Sequence, residues 1–217
     1  MSSFQTDREK MVESQIARRG VKDERVLEAM RTVPRHLFLP EDVQKYAYDD
    51  YPVRIGSGQT MSQPYIVALM TELLEVEPHH KALDVGTGSG YQAAILGELC
   101  DEVHTIERHA ELAETAQKKL ETLGYTNVHV HVGDGTQGYL PGAPYNRIIV
   151  GAAAPAVPDP LLEQLADEGR LVIPVGSRFS QTLEVWTKKG GKIKHKSSIP
   201  VVFVPLVGKD GWKAENA

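Results

Sequence analysis

The chain has 217 residues, 41% of them hydrophobic and 24% charged. That is enough apolar mass for one packed domain and argues against a disordered chain. A formal net charge of −5, without any dense run of Lys or Arg, argues against nucleic acid or an anionic membrane as a partner.

In chain order, the polar segment Met1 to Lys10 has no apolar h-region, and no apolar stretch is of spanning length. Met11, Val12, Gln15, Ile16 and Arg19 have helical spacing, and Gly20 stops the run. Asp23 can cap a second helix carrying Val26, Leu27 and Met30, ending before Pro34. Pro40 can open a short third one. The stretch from Asp49 to Gln63 is long and rich in glycine, which marks it as a functional loop rather than a connector. Pro64 then opens a helix with Ile66, Val67, Leu69, Met70, Leu73 and Leu74 on its apolar side.

From Lys81 strands and helices alternate. The strand candidates are Ala82 to Val85, Val103 to Ile106, Val128 to Val132, Arg147 to Val150 and Leu171 to Val175. Helical patterns cover Tyr91 to Leu99, His109 to Leu123 and Pro160 to Ala166. This βαβ series predicts a mostly parallel, doubly wound α/β sheet with helices on both faces. Leu183 to Trp186 and Val201 to Val207 are strand-like with no helix between them, so antiparallel strands are expected at the C-terminal edge. The basic stretch Lys188 to Lys196, diluted by glycine, reads as a solvated turn. The lone cysteine, Cys100, ends an apolar helix and reads as a buried thiol; with no internal disulfide possible, a cytoplasmic protein is expected.

The chemistry concentrates at three strand ends. Leu83-Asp84-Val85-Gly86-Thr87-Gly88-Ser89-Gly90 runs from an apolar strand through alternating glycines into a helix. Such glycines let backbone approach a ligand, and N–H groups at the helix start can meet its polar atoms. A dinucleotide site wants G-x-G-x-x-G, whereas the spacing here is G-x-G-x-G. The acid Asp84 would repel a pyrophosphate and suits an amino group and a sulfonium. The motif resembles motif I of the class I methyltransferases. Glu107 ends the next strand, where a carboxylate can take both hydroxyls of a ribose or cap the following helix. Asp134 and Gly135 follow the strand after that; the acid can accept from an adenine amino group or serve a turn. After the glycine motif, the ligand reading is taken for all three acids, with Gly86, Thr87, Gly88, Ser89 and Gly90 beside them.

A second resemblance is more specific. Gly58-Gln59-Thr60-Met61-Ser62-Gln63-Pro64 resembles the signature loop of the protein-L-isoaspartate (D-aspartate) O-methyltransferases, with Met61 where isoleucine is common. Met11-Val12-Glu13-Ser14-Gln15-Ile16, Val33-Pro34-Arg35 with Phe38, and Phe203-Val204-Pro205-Leu206 resemble the same family, so the likeness runs through residues 11–208.

The resemblance implies a Rossmann-like methyltransferase fold with an N-terminal helical extension and S-adenosylmethionine as cofactor. The activity it implies is methylation of the α-carboxylate of L-isoaspartyl residues, or the side-chain carboxylate of D-aspartyl residues, in damaged proteins and peptides. The ester closes to a succinimide, whose hydrolysis returns some aspartate. A single domain over 1–217 would comprise an extension and substrate loop (1–63), a cofactor-binding core (64–180) and antiparallel strands with a tail (181–217).

The acceptor carboxylate is ionised at neutral pH and needs no general base. Ser62 is the residue expected to face it, as a hydroxyl donor at the start of the helix from Pro64, or else as that helix's cap. Thr60 and Gln59 are expected in the same cleft, and by the family pattern Gln181 and Thr182 approach the donor. His129 with His131, and His79 with His80, lack a third ligand at zinc-like spacing and read as solvated surface residues, with no metal. A monomer with no nucleic acid or membrane partner is expected. The rivals are a methyltransferase for small molecules or RNA, an NAD-dependent oxidoreductase, and a binding module that has lost catalysis.

Overall fold

The computed structural model describes residues 3–214. The N-terminal part is helical throughout. Helix α1, Ser3–Lys10, passes into a π-helical turn, Met11–Ile16, and a 3-10 turn, Ala17–Arg19, that Gly20 closes at φ 101°. Helix α2, Glu24–Thr32, starts where the Asp23 side chain accepts the Arg25 N–H at 2.9 Å. It buries Val26, Leu27, Ala29 and Met30, each large side chain contributing roughly 1.5–3 kcal/mol. Two 3-10 turns, Arg35–Phe38 and Glu41–Tyr46, complete this part.

The glycine-rich loop is a β-hairpin. Strand β1, Val53–Gly56, pairs antiparallel with β2, Gln59–Met61. Ser57 and Gly58 make the turn with φ of 49° and 69°, the two-residue connection with positive φ that suits strand twist. Helix α3, Pro64–Leu74, follows at once.

The main sheet holds β3 (Lys81–Val85), β4 (Glu102–Glu107), β5 (Val128–Val132), β6 (Tyr145–Val150), β7 (Leu165–Gly176), β8 (Gln181–Lys189) and β9 (Lys192–Val201). Their order is β5-β4-β3-β6-β7-β8-β9. The pairs from β5 to β7 are parallel, and β8 and β9 add antiparallel at one edge. This is the Rossmann-like methyltransferase fold. Helices α4 (Tyr91–Gly97), α5 (Ala110–Thr122) and α6 (Asp159–Glu163) connect the parallel strands. One core joins residues from the N-terminal helices, α3 and α4 to Val103, Ile149 and Val172 of the sheet. The opposite face packs Leu83, Val85, Ile106, Ile148 and Leu171 beneath Leu161 of α6.

Three expectations change. The basic stretch 188–196 is not one turn: Gly190 and Gly191, both at positive φ, make the bend, and β9 begins at Lys192. The segment expected as a strand over 201–207 is mostly irregular, held by bridges of Pro205 to Ala153 and Val207 to Trp212. Of the histidines, His79 and His129 are exposed, but His80 is buried and accepts the Glu77 N–H through Nδ1 at 2.8 Å. His131 stacks on Tyr139 at 3.6 Å and shares a 2.9 Å hydrogen bond with the buried His104. Burial pushes His131 down to about 4. Cys100 is buried, and burial pushes its thiol up to about 12. Among the described residues no helix is long and apolar enough to cross a membrane.

Candidate active site

Neighbours β3 and β6 are not consecutive: the chain runs outward from β3 to β5, then returns to β6. Beyond the carboxyl ends of such strands a parallel sheet leaves a crevice. One section of the cleft there is lined by Thr60, Ser62, Val67, Met70, Asp84, Gly86, Thr87, Gly88, Ser89, Tyr91, Gly151 and Phe203. A second section continues past Gly86 and Gly88 to Glu107, Arg108, His109, Gly135, Pro205 and Leu206, with Gln59 and Thr60 above. A wide outer groove opens from Thr60 and Ser62 toward Arg19, Tyr65, Ile66 and Val201 to Val204.

The glycine turn holds itself. The N–H groups of Gly86 and Thr87 donate to Ile106 O at 2.9 and 3.3 Å, and that of Gly90 to Thr87 O at 2.8 Å. The Gly88 N–H donates to Glu107 Oε2 at 2.9 Å. These groups are therefore committed internally, and the turn's contribution is close backbone approach. Gly88, at φ 52°, also carries the hairpin: a Cβ there would lie 3.3 Å from Ile55 Cδ1.

Asp84 is fully buried. Its Oδ2 accepts from Thr105 Oγ1 at 2.8 Å, and Thr105 shares a 2.6 Å hydrogen bond with Thr87 Oγ1. Its Oδ1 is buried and has no hydrogen-bond partner among the described residues. Burial pushes the carboxyl up to about 7; the Thr105 hydrogen bond opposes this and the Glu107 charge adds to it. An unpaired buried acceptor is costly unless something donates to it, so this oxygen suits an ammonium group. Glu107 is also buried; its Oε1 accepts the His109 N–H at 3.0 Å. Each of its oxygens accepts one N–H and keeps a lone pair for a ribose hydroxyl.

Asp134 is engaged elsewhere. Its Oδ1 accepts from Thr136 N at 2.9 Å and Thr136 Oγ1 at 2.7 Å, and its Oδ2 from Lys209 N at 2.8 Å. Of this turn only Gly135 lines the cleft. Gln181 and Thr182 do not line it either. Gln181 is buried, with Nε2 donating to Ser177 O and Oε1 accepting from Phe203 N at 2.9 Å. Its amide thus holds Phe203 in the cleft wall.

Ser62 faces the first section and the outer groove. It does not cap α3: Gln63 stands at the cap position, and no side-chain bond is made there. No hydrogen bond of the Ser62 hydroxyl exists among the described residues; its carbonyl accepts from the buried Arg35 at 2.7 Å. Gln63 Nε2 donates to Asp50 O at 2.9 Å and Oδ1 at 2.8 Å, and Arg19, stacked 3.6 Å over the Tyr65 ring, pairs with Asp50 at 3.0 Å. These contacts tie the hairpin loop to the N-terminal helices.

Sequence reasoning did not single out Gly151, Arg108 or His109. Gly151 borders all three sections, its N–H donating to Val85 O at 2.8 Å. Its signal was available as a glycine just past a buried strand, but which strand neighbours β3 is a matter of topology.

The model of the family described as Protein-L-isoaspartate(D-aspartate) O-methyltransferase matches residues 6–211. The chain belongs to this family. A protein-L-isoaspartate O-methyltransferase of Methanoculleus marisnigri is 53% identical over 209 residues, covering 96% of this chain and 95% of that one. The Syntrophobacter fumaroxidans relative, protein-L-isoaspartate O-methyltransferase 1, is 52% identical over 98% of this chain and 100% of its own. A solved protein-L-isoaspartate O-methyltransferase superposes with a TM-score of 0.84 at 28% identity, covering 94% of this chain and 67% of that chain. A Plasmodium falciparum structure of the same description, in complex with S-adenosyl-L-homocysteine, gives a TM-score of 0.81 at 29% identity over 92% of this chain and 98% of its own. Membership covers nearly the whole chain, which removes the oxidoreductase reading that G-x-G-x-G spacing already disfavoured.

Proposed function

We propose that this chain is an S-adenosylmethionine-dependent protein-L-isoaspartate O-methyltransferase, acting as a monomer on isoaspartyl and D-aspartyl sites of damaged proteins. The observation that carries the reading is one cleft bordered by both the buried, unpartnered Asp84 Oδ1 and the unbonded Ser62 hydroxyl. The first is the complement of a cationic donor, the second of an anionic acceptor.

Asp84 receives the donor's ammonium, and Glu107 takes the ribose hydroxyls on the lone pairs its two N–H contacts leave free. Gly86, Thr87, Gly88 and Ser89 provide the close surface against which the donor lies, whereas Gly90, where a Cβ would lie 3.3 Å from Ala116 Cβ, faces α5 and serves the turn instead of the donor. Gly135, with Leu206, packs the adenine end. Asp134 serves that end through its turn, and Gln181, with Thr182 after it, through Phe203. Held there by Asp84 and Glu107, S-adenosylmethionine would supply an electrophilic methyl carbon on a sulfonium leaving group, the C–S bonding pair passing to sulfur when the methyl goes to a carboxylate oxygen. Ser62 donates a hydrogen bond to the acceptor carboxylate and fixes its orientation; Thr60 and Gln59 form the roof between acceptor and donor. Alignment is the main contribution asked of the protein, and a well-held near-attack geometry can supply about 7–11 kcal/mol.

Mass spectrometry of an isoaspartyl peptide incubated with enzyme and S-adenosylmethionine tests this. The expected series is a methyl ester, then a succinimide, then a mixture containing normal aspartate. An unchanged peptide, with donor binding intact, overturns the repair reading.

A further inference from the structure

Arg35 is the largest of the fully buried side chains, 0% exposed. It sits at the start of a 3-10 turn, behind the cleft wall. Its Nε donates to Ala47 O at 2.7 Å and its Nη2 to Ser62 O at 2.7 Å. The guanidinium lies 4.8 Å from the centre of the Tyr91 ring, and Tyr91 lines the donor section. Its Nη1 is buried and has no hydrogen-bond partner among the described residues. No carboxylate pairs with it among the described residues, whereas Arg19 and Arg170 each pair with one. Burial lowers its affinity for a proton, and the Tyr91 ring opposes this, but a guanidinium stays charged regardless.

A buried cation with no counter-charge is expensive. Folding alone has a cheaper solution, since an apolar side chain of similar volume would fill this space without the desolvation cost. The charge becomes useful when an anion is brought next to the residue it holds. Ser62 is that residue: one end of it accepts from Arg35, and the other faces the groove where an acceptor carboxylate would arrive.

We propose that Arg35 is a positioning residue for the acceptor: its fork fixes Ser62 through the carbonyl, and its uncompensated buried charge favours a carboxylate over a neutral group in the cleft. This rests on the isoaspartyl reading of the site. Water is excluded around Arg35, so its field is weakly screened and acts over a longer range than that of a surface lysine.

The test compares wild type with Arg35→Lys and Arg35→Met, each checked for folding by thermal unfolding and for donor-site integrity by S-adenosylhomocysteine titration. Methyl transfer to an isoaspartyl peptide is measured, together with inhibition by the same peptide bearing an α-carboxamide in place of the α-carboxylate. Arg35→Lys keeps the charge and loses the fork. It should lower kcat/KM by about tenfold or more, with S-adenosylhomocysteine affinity within about twofold of wild type. Arg35→Met loses both, and its KM for the carboxylate peptide should rise while the carboxamide inhibits as before. Kinetics within about twofold of wild type in Arg35→Lys, or a parallel loss of donor affinity, would overturn the proposal. So would equal weakening of carboxylate and carboxamide peptides in Arg35→Met. If Arg35→Met does not fold, Arg35→Lys alone decides through the same split between acceptor kinetics and donor affinity. Wild-type activity on the isoaspartyl peptide is the control: its absence would count against the activity itself, not against Arg35.

Discussion

The carboxylate of Glu107 accepts the Gly88 N–H at 2.9 Å, so the acid at the end of β4 closes the glycine turn that follows β3. The same side chain accepts the His109 N–H just before α5. The carboxylate proposed to take the ribose hydroxyls is therefore also the one that closes this turn. Glu107→Gln puts an amide N–H₂ against one of these two N–H donors. Hydrogen bonds to charged groups contribute about 1.5–3 kcal/mol, so S-adenosylhomocysteine affinity should fall by roughly tenfold or more, with a lower melting temperature. Calorimetric titration and thermal unfolding check this; unchanged affinity would remove Glu107 from the donor site.

Asp84 predicts a pH dependence. Its carboxyl is pushed up to about 7 by burial, and an ammonium ligand favours the ionised form. Binding below that pH must release the proton, so S-adenosylhomocysteine affinity should weaken as pH falls from about 8 to about 6, approaching tenfold per pH unit at the limit. Stability of the free protein runs the other way: a raised folded value means that ionising Asp84 costs stability as pH rises from about 4 toward about 7. Asp84→Asn should flatten both dependences and weaken the donor at about pH 8. A pH-independent wild-type affinity would contradict the assignment.

Ser62→Ala removes a hydroxyl with no hydrogen bond among the described residues, so stability should change by less than about 0.5 kcal/mol. Turnover on an isoaspartyl peptide should drop by roughly tenfold to a hundredfold, with donor affinity nearly unchanged. Normal turnover, or collapse of donor binding, would show that Ser62 does not serve the acceptor.

Much of this site was legible in the chain. A strand-glycine-helix pattern has few alternatives, and the structure brings Asp84, Glu107, Gly86 and Gly88 to one cleft, as that pattern leads one to expect. The hairpin at 53–61 was not legible, because its strands are only three or four residues long. Asp134 was read correctly as a strand-end acid, but the backbone N–H of Lys209, distant in sequence, claims its Oδ2. Gln181, expected to approach the donor, has its amide oxygen on Phe203 N, a contact 22 residues away in the chain. The Arg35 contact to Ser62 reaches across 27 residues, two 3-10 turns and the hairpin, and no local periodicity reports such a bond. The contacts of Asp134, Gln181 and Arg35 are long-range and polar, which sequence spacing does not encode.

Gln181→Leu follows from that contact. It leaves the partly buried Phe203 N–H without its acceptor, which should cost about 1 kcal/mol. Phe203 borders both the donor section and the outer groove, so KM should rise for donor and peptide together. Denaturant unfolding and steady-state kinetics check this; a rise in donor KM alone would instead favour direct contact of Gln181 with the donor.

The most direct measurement is methyl transfer from labelled S-adenosylmethionine to two peptides that differ only in one linkage, isoaspartyl or aspartyl, with base-labile label collected as volatile methanol. Label on the isoaspartyl peptide alone is the predicted result. Label on both peptides, or on neither while S-adenosylhomocysteine still binds, would contradict the assignment of this cleft to isoaspartyl carboxylates.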